Sequence, residues 1–412
     1  MKTHPTKPIS VALVSDAVYP YHRGGKETRY HQLATRLHHD LAITVYSMHW
    51  WPERQRTKVI DGVEHRAICP LVPLYSGGRR SLWEAIVFAL ACLRMITRPF
   101  DVVEADHVSH LQLFTLRLVT RLRRKPLVVT WYEVWGRDYW EGYLGRLPGR
   151  IAWWIERRAM RLPDEILVVS AGTADRLRAE VGNSIPIRVV QPAIDLGLIA
   201  NTTPADVGEA AELLFVGRLL KHKGVHLLID ALTRLETGRE VRLLVVGSGP
   251  ERENLMSQVA ASGLDGRVRF RSDVAEHREI LALMRAADVF VLPSVREGFG
   301  IAVLEALACG AAVVTTSHPD NNAVHLVARS RRGYLAEPTV DALAAAISRA
   351  LADQAGQNRP TEAWLTQYDW GPAAEEFASV LAGAVAARSR GRHRFREGTN
   401  GAVLAGQGQG AS

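Results

Sequence analysis

The sequence predicts an α/β protein of two doubly wound domains. Three observations carry this. Short, apolar, β-branched runs alternate with amphipathic segments from end to end. The alternation then restarts partway along. And 412 residues are too many for one ordinary core but comfortable for two.

The first strand series reads "ISVALVSD", "LAITVYS", "DVVEAD", "PLVVTWY" and "EILVVS". Each run is apolar on both faces, as parallel strands covered by helices on either side are. Between them, "SLWEAIVFALACLRMI" and "HLQLFTLRLVTRLRR" carry helical periodicity. The second series reads "ELLFVGR", "VRLLVVGSG", "VRFRSD", "DVFVLPS" and "AAVVTTS". Pro, Asn, Thr and Gly break the pattern in "QPAIDLGLIANTTPADVGEA". The expected division is a first domain over 1–195 and a second over 196–370. A final helix over 371–388 is expected to pack back on the first domain. The residues 389–412, basic and then Gly-rich, are expected to form a disordered tail.

Composition narrows the function classes. The formal charge of +8 suits anionic partners without choosing among nucleic acid, phosphorylated metabolites and anionic lipid. No reading helix or stacking sheet is recognisable, which disfavours nucleic acid. Cys69, Cys92 and Cys309 are isolated, as reduced thiols of a cytoplasmic protein are. The opening "MKTHPTKPIS" lacks the apolar core of a signal peptide, and "AIVFALACL" is too short to cross a bilayer. Without a GxGxxG after the first strand, a nicotinamide oxidoreductase is also disfavoured.

Ligands of open α/β sheets sit beyond the carboxyl ends of the strands, so the residues just after each strand matter most. After the first strand, Gly24 and Gly25 allow close backbone approach, and the helix that follows can present N–H groups to a phosphate; an ordinary glycine turn explains them equally well. At the start of the second series, Arg218 follows the strand and Lys223 stands at the next helix start, two cations suited to a diphosphate without a metal. Gly247 and Gly249 in "VVGSGP" are a weaker signal, since a tight turn needs them too.

The sharpest stretch is "REGFGIAVLEALACG". A helix starting near Gly300 aims the N–H groups of Phe299, Gly300 and Ile301 at an incoming anion. Glu305 then lies just over one turn inside, the lone carboxylate of a small, apolar helix, able to accept from vicinal hydroxyls such as those of ribose. Glu297, before the turn, faces a second polyol.

In order and spacing, "GGKE", "FVGRLLKHKG", "VVGSGP" and "EGFGIAVLEALACG" resemble glycosyltransferase family 4 over roughly residues 8–385. This is a retaining family whose two Rossmann-like domains face a central cleft, the GT-B fold. The resemblance implies a nucleotide diphosphate-sugar donor, UDP- or GDP-linked, held by the second domain, with the acceptor (a glycan, glycolipid or secondary metabolite) on the first. Arg218 and Lys223 would grip the diphosphate, Glu305 the ribose and Glu297 the donor sugar. Phe299, Gly300 and Ile301 would supply backbone contacts, with Gly24, Gly25, Gly247 and Gly249 near the phosphates. No metal or cofactor is expected.

One residue departs from the family. Many relatives carry a histidine where "VVTWYEVWG" places Tyr132. Tyrosine donates a hydrogen bond but is a poor base, with a reference pKa of about 10. Either it replaces that hydrogen bond, or Glu133, Asp106 or His107 shares the role, or the protein is a catalytically weakened nucleotide-sugar binder or partner subunit. His107 is expected at the cleft mouth, and Trp131, Glu133 and the neighbouring aromatics on the acceptor side, with core packing as the other explanation. Finally, "RLPGRIAWWIERRAMR" sets Trp153 and Trp154 among arginines, a face for an anionic membrane or a solvated helix with buried tryptophans. The expected location is cytoplasmic, with the inner membrane face as the peripheral alternative.

Overall fold

The computed structural model describes residues 8–76, 79–206, 211–274, 276–330, 333–353 and 362–405. The chain divides into two compact units, Met1–Val190 with Ala374–Ser412, and Gln191–Ala373.

The first unit is built on an eight-stranded sheet. Its order is Ile187–Val189, Glu165–Val168, Leu127–Trp131, Val102–Asp106, Ser10–Val14, Ala42–Met48, Val63–Cys69 and Thr57–Ile60. All neighbours run parallel except the last pair. The central strands Val102–Asp106 and Leu127–Trp131 are buried on both faces, Glu104, Asp106 and Thr130 included. From Ser10–Val14 the chain first builds outward to one side and then returns to add Val102–Asp106 on the other. That reversal is the switch point of the sheet.

The antiparallel edge was not foreseen. Thr57–Ile60 folds onto Val63–Cys69 through Asp61 and Gly62, both at positive φ, the conformation a two-residue hairpin demands. Helix Leu82–Ala91 starts at Ser81, whose hydroxyl accepts from the Glu84 N–H, and a 3₁₀ turn, Cys92–Thr97, continues it. Helix Leu111–Arg123 stops at Arg124, in left-handed geometry.

The second unit carries a six-stranded parallel sheet in the order Val268–Arg271, Leu243–Val246, Leu213–Val216, Val289–Leu292, Ala312–Thr316 and Gly333–Ala336. Its switch point lies between Leu213–Val216 and Val289–Leu292. The edge strand Gly333–Ala336 is an addition to the expected set.

Helix Trp370–Ala405 ends the described chain. Phe377 and Leu381 are fully buried, and the Arg29 guanidinium lies 5.6 Å over the Phe377 ring. Residues 389–405 of the expected disordered tail continue this helix. The rest of that expected tail, 406–412, lies outside the described residues.

Candidate active site

The second unit's switch point gathers most of the expected donor residues. Gly217 and Arg218 follow strand Leu213–Val216; a 3₁₀ turn, Lys221–Lys223, leads into helix Val225–Leu232. Across the switch point the Val295 N–H donates to the His222 carbonyl at 2.9 Å, tying the two loops together. Lys223 Nζ lies 2.5 Å from Glu297 Oε1, which also accepts from Ser294 Oγ at 3.0 Å. The Glu297 backbone is clamped in turn. Its N–H donates to the Asp320 carbonyl, and its carbonyl accepts from the backbone and side chain of Asn322. His222 is half-buried. Burial, then Lys223, Arg296 and Arg218, push its pKa down to about 4, so the imidazole is neutral among cations.

Gly300 caps helix Ile301–Cys309 at φ +89, where a Cβ would stand 2.6 Å from that of Ala323. The N–H groups of Phe299, Gly300 and Ile301 have no acceptor among the described residues. They are available to an anion at the helix N-terminus. Phe299 is buried, its ring 6.1 Å from that of Tyr368. Glu305 is buried on the same helix, but it is not alone: His277 Nε2 lies 3.0 Å from its Oε1. Burial opposes protonation of His277, yet the hydrogen bond and charge of Glu305 outweigh it and raise the pKa. Sequence reading missed His277, which starts another helix, His277–Ala286, and carries no spacing signal.

Gly247 and Gly249 are packed against the loop of Arg218. A Cβ on Gly247 would meet the Gly217 carbonyl oxygen at 2.0 Å, and one on Gly249 the Leu219 oxygen at 2.3 Å. The Gly247 N–H is spent on the Arg271 carbonyl, so this glycine admits the neighbouring loop.

At the first unit's switch point lies a buried ionic cluster. Lys26 Nζ is 2.6 Å from Asp16 and 3.1 Å from Asp106, and Asp16 also pairs with Arg80. Burial would raise the Asp16 carboxyl, but Lys26 and Arg80 prevail and lower its pKa to about 2. Asp106 goes the other way, to about 6, because burial and the nearby Asp16 exceed what Lys26 returns. The lysine of "GGKE" is therefore held by the sheet's own carboxylates. Gly24 caps helix Gly25–Leu37, and a Cβ added at Gly25 would meet nothing within 4 Å.

Two acceptor-side expectations need correction. Trp131 is fully buried and stacks at 4.9 Å on His107, so it belongs to the core. His107 is also buried. Burial, His110 and Lys26 hold its pKa well down, and its Nδ1 accepts from the Tyr132 N–H at 3.3 Å. A strand end covered on both sides offers such residues no exposed face. Tyr132 is half-buried; its hydroxyl oxygen is buried with no hydrogen-bond partner, and burial raises its pKa. Glu133 is partly buried beside it. Glu156, also missed, is fully buried and accepts from the N–H groups of Trp135 and Gly136 and from Trp140 Nε1. It thereby fixes the aromatic helix Gly136–Leu144.

Known proteins bear on this geometry. The sequence model for glycosyltransferase family 4 matches residues 23–198, and that for glycosyl transferases group 1 matches residues 204–364. Glycogen synthase of Mycobacterium tuberculosis is 32% identical over 250 residues, 59% of this chain and 59% of that protein. The 2-deoxystreptamine glucosyltransferase of Streptomyces kanamyceticus is 33% identical over 49% of this chain and 54% of its own. The chain thus spans little more than half the length of these curated relatives. Among solved structures, sucrose-phosphate synthase from Thermosynechococcus elongatus superposes with a TM-score of 0.76 at 19% identity, over 92% of this chain and all of that one. The Anabaena protein HepE, solved with UDP and glucose, gives 0.67 at 19% identity, over 91% of this chain and 100% of its own. These two likenesses show the fold, two Rossmann-like α/β domains of GT-B type. No helix of the described residues is long and apolar enough to cross a membrane. With a family model on each half, together covering most of its length, the chain belongs to glycosyltransferase family 4.

Proposed function

We propose that the protein transfers a sugar, with retention at the anomeric carbon, from a nucleoside diphosphate-sugar to an acceptor hydroxyl. The observation that carries this is the Lys223–Glu297 pair, set beside the available N–H groups of Phe299, Gly300 and Ile301 at the second sheet's switch point. A cation and a helix N-terminus suit a diphosphate, and the two carboxylates suit the hydroxyls on either side of it.

In this reading Arg218 and Lys223 bind the diphosphate, Glu305 the ribose and Glu297 the donor sugar. The bond from anomeric carbon to phosphate oxygen breaks with its electron pair leaving on the phosphate, where the two cations stabilise the charge. The acceptor oxygen attacks from the same face, and its proton passes to the departing phosphate. Positioning and charge stabilisation supply most of the rate. No cofactor enters this scheme. UDP, the nucleotide in the HepE structure, is the first candidate, followed by GDP. A glucosyl-type hexose donor is consistent with the names of the relatives.

Thermal unfolding against saturating UDP, GDP, ADP and TDP tests the donor site. A ligand at 100 times its dissociation constant adds about 2.7 kcal/mol to stability. A rise with one nucleotide, lost in Glu305→Ala, supports the assignment, and no rise with any of them overturns it. The anomeric configuration of the product, read by NMR, then tests retention. Tyr132, with its unpartnered hydroxyl, favours one second reading, a weakened enzyme or partner subunit. Nucleotide binding without turnover of any donor would select it.

A further inference from the structure

Three neighbouring helical segments of the first unit turn large apolar side chains outward. On helix Leu111–Arg123 these are Phe114, Leu118 and Leu122, spaced four apart as one stripe; Leu122 is 61% exposed. On helix Arg146–Ala159 they are Leu147, Ile151 and Trp154, again one stripe, with Leu147 70% and Trp154 55% exposed. Helix Leu82–Ala91 and its 3₁₀ continuation add Trp83, Leu90 and Leu93. Helix Leu111–Arg123 packs between the other two, so the stripes lie side by side. An apolar surface of this extent marks an interaction site.

The charges on these segments have one sign at the surface. Their only acidic residues are Glu84 and Glu156, and both are fully buried. Arg121, Arg146, Arg150 and Arg158 are exposed along the same helices. Arg117 and Arg157 reach acids on neighbouring segments, Asp164 and Glu180, at 2.8 Å each. Arg158 lies 5.2 Å over the Trp154 ring, and Trp154, Arg157, Arg158 and Arg161 line a cavity of about 310 Å³. Indole with three guanidiniums suits a phosphate headgroup above an apolar layer.

We infer that this face docks on an anionic lipid bilayer, the stripes entering the acyl boundary and the arginines meeting phosphate headgroups. The charge pattern selects this occupant. A second copy would set one arginine rim against another with no surface acid on these helices to compensate, and a nucleic acid would leave the leucine stripes wet. Binding of this kind combines buried apolar area with attraction to anionic lipid. It holds the first unit at a membrane, where an acceptor carried on a lipid would be within reach. The inference stands on the surface and not on the donor-site reading, and its readout is independent of turnover.

The test is flotation of the full chain with vesicles of phosphatidylcholine alone or mixed with phosphatidylglycerol, at low and high salt. Expected is binding to the mixed vesicles that falls with salt. It should drop at least ~10-fold in Arg150→Glu/Arg158→Glu, where two attractive charges become repulsive. Leu118→Glu/Leu122→Glu should also lose binding, with unchanged melting temperature showing that these exposed sites leave the fold intact. No flotation with either vesicle overturns the inference, as does equal flotation of wild type and both variants. Self-association in sedimentation velocity that Leu118→Glu/Leu122→Glu abolishes would overturn it in favour of a second copy.

Discussion

Lys223 Nζ and Glu297 Oε1 lie 2.5 Å apart across the switch point of the second sheet, so the cation assigned to the diphosphate is held by the carboxylate assigned to the sugar. In the proposed reading, a donor entering here would exchange this contact for two of its own. Lys223→Met should lower kcat/KM by about 10²–10³-fold, the loss expected for one preorganised electrostatic contact. It should also cost about 2 kcal/mol of stability, below the range for a fully buried pair because both side chains keep some exposure. Denaturant unfolding of both single variants and of Lys223→Met/Glu297→Gln checks this. The double variant should lose less than the two singles together, and strict additivity would mean the pair is not coupled.

Two glycines separate packing from ligand approach. Gly247→Ala forces a Cβ to within 2.0 Å of the Gly217 carbonyl, at φ +144, and should cost at least ~2 kcal/mol. Gly25→Ala meets nothing within 4 Å, in the first turn of a helix, so its melting temperature should hold or rise slightly. If Gly25 leaves room for substrate, the same change should lower kcat/KM at least ~10-fold through the lost approach at the helix N-terminus. Full activity in Gly25→Ala would remove it from the site.

Much of the fold was legible because its period is simple. Most of the parallel strands read as short, largely apolar runs, and each run named from the sequence contains a strand. The hairpin at Asp61-Gly62 was also written there, as an Asp-Gly pair between short β-branched segments, but Thr57–Ile60 is too exposed to look like a strand. Gly333–Ala336 was hidden for the same reason. In the site, Glu297 and Glu305 were visible through their spacing around a glycine turn. His277 was not, because its partner is 28 residues away and only packing brings them together. Trp131 and His107 misled because a strand end says that a residue is near a sheet's edge, not whether helices cover it.

The His277–Glu305 contact predicts a pH dependence. The folded pKa of His277 is raised, so the contact's contribution to stability is complete below the unfolded value of about 6.5 and is lost as pH rises through the folded value. The melting temperature of wild type relative to His277→Gln should therefore fall across that window. Nucleotide affinity should fall with it by about 3–10-fold, as Glu305 loses a charge-assisted hydrogen bond that orients it. Calorimetric titration across the same pH range reads this directly. An affinity with the same pH profile in His277→Gln would show that His277 does not position Glu305.

Glu104 gives a second pH signature of the same sign, in a lower window. It is fully buried, accepting from Tyr30 Oη at 3.1 Å and Thr130 Oγ1 at 2.5 Å, while its Oε2 has no partner. Burial raises its pKa to about 7 against the hydrogen bonds and Arg29, so the folded state keeps a proton that the unfolded chain releases near 4.5. Stability is therefore lost as pH rises from about 4.5 to 7, and Glu104→Gln, which cannot ionise, escapes the loss. The variant should gain on wild type over that window, by on the order of 3 kcal/mol at most. Parallel stability curves from pH 4 to 8 would refute a neutral Glu104.

Tyr132 decides how far the chain departs from its family. Its hydroxyl oxygen is buried and has no hydrogen-bond partner, so Tyr132→Phe deletes an unsatisfied polar group and should leave stability unchanged or raise it by up to about 1 kcal/mol. A hydroxyl kept at that expense is worth most if a substrate supplies the missing partner. In that case Tyr132→Phe should lower kcat at least ~10-fold while nucleotide binding, read from thermal shifts, stays as in wild type. Tyr132→His, which restores the residue common in relatives, should then keep or increase turnover. Unchanged kcat in Tyr132→Phe would instead make the hydroxyl a spectator, and the catalytic burden would rest on Arg218, Lys223 and Glu297 alone.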